Sequence, residues 1–107
     1  MPTLMLLIRM REDVARLWRE HMNAPFPDGL RGAERGGVDL VLVDAQIAGV
    51  VTAWLRNKGV LDARRRNVAL DCVARLDRIM PMLGEGDDPR YWRRLGELAR
   101  LVVGPVA

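Results

Sequence analysis

Few residues in this chain can move a proton or hold a metal. There is one histidine, His21, and one cysteine, Cys72. Serine is absent, so a Ser-His-Asp triad cannot be built. A Cys–His pair would have to join His21 to Cys72. Yet Cys72 falls on an apolar stripe with Ala69, Val73, Leu76 and Ile79, where a thiol packs as a small inert hydrophobe. Zinc sites built from Cys and His need three or four such ligands. No metal and no cofactor is therefore expected.

The carboxylates are more numerous. Glu85, Asp87 and Asp88 crowd one turn without calcium-loop spacing and read as a solvated turn and a helix cap. Gly29, Gly32, Gly36 and Gly37 do not have the spacing of a phosphate-binding loop. Asp44 stands apart because it interrupts an apolar segment. A carboxylate withdrawn from water must find a partner or become neutral. An arginine from another helix or from the neighbouring loop is the expected partner. The functional alternative is a ligand site beneath residues 23–37, built from Glu20, His21, Arg31, Arg35 and Asp44.

Helices must position these groups. Leu7, Met10, Val14, Leu17 and His21 recur at helical spacing, predicting a first helix that starts near Leu4 or Met10 and ends near Met22. Residues 1–9 read as a poorly ordered extension of a single domain covering 1–107. Pro25, Pro27 and Gly29 then break the helix, and an irregular loop is expected as far as Gly36 and Gly37. Residues 38–43 are rich in valine and could form a strand, but no other strand candidate exists to pair with it. The spacing instead predicts one helix over 39–57, with Asp39 as its N-cap and Gly59 as its stop. That segment is nearly long enough to span a membrane. Asp39, Asp44, Gln46 and Thr52 argue against it, since an aspartate inside a span costs roughly 2.5–3.5 kcal/mol.

A third helix is predicted from Asp62 to Met80, where Pro81 should end it. A fourth should run from Pro89 to Val103, with Asp88 as its N-cap and Tyr91, Leu95, Leu98 and Val102 facing inward. The resulting fold class is all-α: an antiparallel bundle of about four helices, up-down-up-down, with a long irregular loop after the first.

Two surfaces remain. The second helix carries Leu40, Val43, Ile47, Val50 and Trp54 on one stripe, more than enough for a core. Val41, Ala45, Ala48, Gly49, Thr52 and Ala53 form a second stripe of mostly small residues, which would let another helix approach closely. This predicts a homodimer interface or a contact with another protein. The other surface is basic. Sixteen of the seventeen basic residues are arginine, a bias that a GC-rich genome also produces. Arg64, Arg65 and Arg66 open the third helix; Arg90, Arg93 and Arg94 open the fourth. Cations are disfavoured at helix N-termini, so these arginines should serve another purpose, such as binding an anionic nucleic acid. In an antiparallel bundle, however, the two clusters should lie at opposite ends.

With 107 residues, half of them apolar and a net charge of +3, the chain has the composition of one globular domain. The lone cysteine and the lack of a recognisable signal peptide point to the cytoplasm. The leading expectation is a non-enzymatic interaction module that self-associates. A nucleic-acid-associated regulator and a small-ligand site or enzyme at residues 23–37 are the alternatives.

Overall fold

A computed structural model describes residues 2–27 and 34–104 of the chain. Among these residues there are four α-helices: α1 (Pro2–Asn23), α2 (Leu40–Arg56), α3 (Ala63–Ile79) and α4 (Pro89–Val103). Two-residue strands β1 (Glu34–Arg35) and β2 (Val38–Asp39) precede α2. The helices alternate in direction. The end of α1 meets the start of α2 through His21 and Asp44, and the start of α3 meets the end of α4 through Arg66 and Val103. The fold is the antiparallel bundle that the periodicity predicts.

α2 and α4 each touch all three other helices, α4 the more extensively. The buried residues of α4, among them Tyr91, Trp92, Leu95, Leu98 and Val102, cover nearly half its circumference. Against it lie Val14 and Leu17 of α1, Val43, Ile47 and Val51 of α2, and Cys72, Leu76 and Ile79 of α3. Trp92, between Arg90 and Arg93 in the chain, is fully buried and donates its indole N–H to the Asp87 carbonyl at 3.0 Å. A large apolar ring with one polar tip is retained in a core when that tip is satisfied.

The irregular region is shorter than expected. Gly36 and Gly37, with φ of 56° and 77°, make a two-residue turn between β1 and β2 rather than the end of a loop. Two consecutive positive φ values match the twist of a tight hairpin, and glycine reaches them without a Cβ penalty. The hairpin is fastened to the bundle by Arg35, which pairs with Asp87 at 3.3 Å. α1 is also longer than its apolar periodicity requires. It is helical from Pro2, but Leu4, Met5, Leu6, Leu7 and Ile8 are all exposed. Among the described residues, no helix is long and apolar enough to cross a membrane.

Most of the local punctuation behaves as its chemistry dictates. Asp39 caps α2 by accepting the Leu42 N–H at 3.1 Å. Asp62 caps α3 by accepting the Arg65 N–H at 2.8 Å, and that bond holds its carboxyl below the usual carboxylate range. Gly59 turns the chain after α2 at φ 86°, and Pro81 follows immediately on the end of α3. Asp88 is different. It occupies the position before α4 but in a left-handed conformation, φ 53°, and its side chain caps nothing. In the turn before it, Asp87 accepts the Gly84 N–H at 3.0 Å, a bond that closes that turn and leaves α4 without a side-chain cap.

Two substitutions separate these aspartates. Asp39→Ala should lower stability by about 1 kcal/mol, the value of a lost N-cap bond, in urea unfolding. Asp88→Gly should leave stability unchanged or slightly raised, because it removes no cap and relieves a positive φ.

Candidate functional site

Helical spacing brings the site together. On α1, Trp18, His21 and Met22 lie three and four residues apart and share one face. On α2, Val41, Asp44, Ala45 and Ala48 do the same. Tyr91 projects from the first turn of α4, and Ala24 and Phe26 arrive from the segment after α1. These residues line a cleft of about 480 Å³. That volume and a mostly apolar wall with a few polar groups are typical of small-molecule sites.

At its base is a three-helix hydrogen-bond network. The Asp44 carboxylate accepts from His21 Nε2 at 3.0 Å through Oδ1 and from the Tyr91 hydroxyl at 2.5 Å through Oδ2. His21 and Tyr91 are only 5% and 3% exposed. Because a carboxylate only accepts, Nε2 is the nitrogen that donates to it. Nδ1 is buried and has no hydrogen-bond partner among the described residues. Aromatic rings enclose the network: Trp18 stacks on His21 at 5.9 Å, and Phe26 meets the Tyr91 ring edge-on at 5.7 Å. Burial first, and then the bond to Asp44, push the Tyr91 phenol well above its ordinary pKa. The arrangement orients a carboxylate. Among the described residues it sets no nucleophilic hydroxyl or thiol beside the imidazole, because Cys72 is buried between α2 and α3 with Gln46 at 3.6 Å.

Of the residues expected to form a ligand site, the structure brings His21 and Asp44 together. Glu20 points to solvent and pairs with Arg16 at 3.6 Å. Arg35 serves the hairpin instead and is not part of the cleft. Arg31 lies outside the described residues. The expected arginine partner of Asp44 is replaced by His21 and Tyr91, one donor for each carboxylate oxygen. Tyr91 was legible only as an inward-facing residue. A phenol turned into a core needs an acceptor, and Asp44 needed a donor.

The second stripe of α2 is open. Val41, Ala45 and Gly49 are exposed, Ala48, Thr52 and Ala53 are half-buried, and a Cβ added at Gly49 would meet nothing within 4 Å. The Thr52 hydroxyl turns back to the Ala48 carbonyl at 2.6 Å, so the stripe presents methyl groups outward. The arginines divide as antiparallel packing requires. Arg65 pairs with Asp62, and Arg66 donates to the Val103 carbonyl at 3.3 Å, placing a cation at the negative end of α4. Arg64 is exposed beside them. Arg90 and Arg93 are exposed at the far end, where Arg94 lies over the Tyr91 ring at 5.8 Å. The two clusters do not form one surface.

Replacing Tyr91 tests the network. Below pH 10 the phenol is protonated in both folded and unfolded chains, and its bond to Asp44 contributes fully. Above pH 10 the unfolded chain ionises first, so stability must fall as pH rises towards the raised folded value. The Cys72 thiol, also raised by burial, adds to this fall with the same sign from its ordinary value of 9.0. Tyr91→Phe should lose about 1–3 kcal/mol at neutral pH by leaving a buried acceptor short of a donor. In urea titrations from neutral to alkaline pH its decline should also be shallower than that of the wild type. No protein-family model, curated protein or solved structure matches this chain.

Proposed function

We propose that this chain is a non-enzymatic interaction module that self-associates through the exposed stripe of α2. The observation that carries the reading is the surface of Val41, Ala45 and Gly49, apolar or small and uncovered, on a helix whose opposite side already fills the core. A helix apolar all round is either central in its own bundle or shared with a partner. α2 packs against all three other helices with its buried face, and the Val41, Ala45 and Gly49 stripe lies outside those contacts, so α2 has apolar surface to spare. The exposed Leu4, Met5, Leu6, Leu7 and Ile8 of α1 enlarge the apolar area. Leu7 lies beside the end of α2, near Gly59 and Trp54.

Small residues recurring along α2 suit a two-fold contact in which the helices of two copies cross closely. A larger side chain at Gly49 would hold them apart. The space outside Gly49 is empty within one chain, so Gly49→Leu should not disturb the monomer. Native mass spectrometry and sedimentation of the full chain should give a dimer for the wild type and a monomer for Gly49→Leu, with unchanged helical content. A wild-type chain that stays monomeric at every concentration would remove the proposal.

A further inference from the structure

The polar base of the α1–α2–α4 cleft is centred on a carboxylate whose two oxygens both keep acceptor capacity among the described residues. Each Asp44 oxygen takes one bond, from His21 or from Tyr91, and keeps a lone pair. The Tyr91 hydroxyl has spent its proton on Asp44 and keeps only acceptor capacity. His21 has spent its Nε2 proton likewise, and its buried Nδ1 has no partner among the described residues. A ligand that satisfies such a set must bring several N–H donors on one head group.

Charge points the same way. Among the described residues Asp44 is the one acidic side chain in the cleft wall, and neither lysine nor arginine lines it. Arg94, stacked over the Tyr91 ring, is not part of that wall. The remaining wall is aromatic and aliphatic: Trp18, Met22, Phe26, Val41, Ala45 and Ala48. Ring faces attract a cation, and a carboxylate fixes it by charge-assisted hydrogen bonds. We infer that this cleft binds a small organic cation, a primary ammonium or an amidinium on an aromatic or aliphatic body, with the head group on Asp44 and the body among Trp18, Phe26 and Val41. Val41 and Ala45 belong both to the cleft wall and to the α2 stripe, whereas Gly49 lines only the stripe, so titrating Gly49→Leu beside the wild type separates cation binding from self-association.

His21 and Tyr91 are the only residues of their types, so their ring resonances report the site without ambiguity. The full chain would be titrated with phenethylamine and benzamidine, and in parallel with phenylacetate and 2-phenylethanol, following both rings by NMR. Saturable shifts for the two cations, with the anion and the alcohol bound at least about tenfold more weakly, are expected from the loss of one charge-assisted bond. Asp44→Asn should weaken phenethylamine by a similar factor. That variant also alters the network, so Ala48→Leu provides a second test: it fills the cleft, leaves all three polar groups in place, and should abolish the shifts while the free His21 and Tyr91 resonances keep their wild-type positions. The inference is overturned if neither cation gives a saturable shift, if phenylacetate binds as tightly as phenethylamine, or if Ala48→Leu binds as well as the wild type.

Discussion

A carboxylate taken out of water loses solvation worth several kcal/mol, and hydrogen bonds must replace it. Asp44 imposes that requirement on an otherwise apolar α2, and the structure answers it with donors from two other helices. His21 comes from the last turns of α1 and Tyr91 from the first turn of α4, so the network fixes how three helix ends meet. The apolar packing around α4 would tolerate small changes in helix rotation or height. The Asp44 network does not, because hydrogen bonds weaken steeply away from their preferred distance and angle. The cleft lies where those three ends meet, with the network at its base.

The arginines show a related economy of placement. Several of them sit where helix dipoles disfavour them, and each described contact supplies a local reason. Arg66 lies beside the carbonyl end of the antiparallel neighbour, Arg65 on the cap of its own helix, and Arg94 against an aromatic face. A cation near one helix N-terminus in an antiparallel pair is also near another helix's C-terminus. The dipole argument from a single helix therefore gives the wrong sign for residues at such a junction.

Much of the fold could be read from the residues because its determinants are local. Asp39 and Asp62 cap because their oxygens reach amides three residues on, and Pro81 and Gly59 act on adjacent backbone. The apolar period placed Tyr91, Leu95, Leu98 and Val102 inward, as observed. What escaped was of two kinds. Asp88 and the Gly36–Gly37 turn depend on backbone angles that residue type only biases, so a capping residue became a left-handed one and a loop became a hairpin. The site itself depends on contacts between residues far apart in the chain. His21 and Asp44 were both conspicuous, one as the only imidazole and the other as an acid in an apolar run. Tyr91 lies 47 residues beyond Asp44, and nothing in its neighbourhood names the acid it would meet.

The helices are unequally anchored. α1 buries only Val14, Leu17 and His21 along its described length, whereas α4 buries seven residues and touches every other helix. Local opening follows the weakest attachment, so the free energy needed to lift α1 off is smaller than that of global unfolding. Amides of α1 should therefore exchange with solvent ahead of those in α3 and α4. His21, Trp18 and Met22 ride on that helix. Its departure would dismantle one wall of the cleft and strip Asp44 of a donor, while leaving the three remaining helices packed. The same chain thus holds a state in which the site is assembled and, at modest free energy above it, a folded core without one.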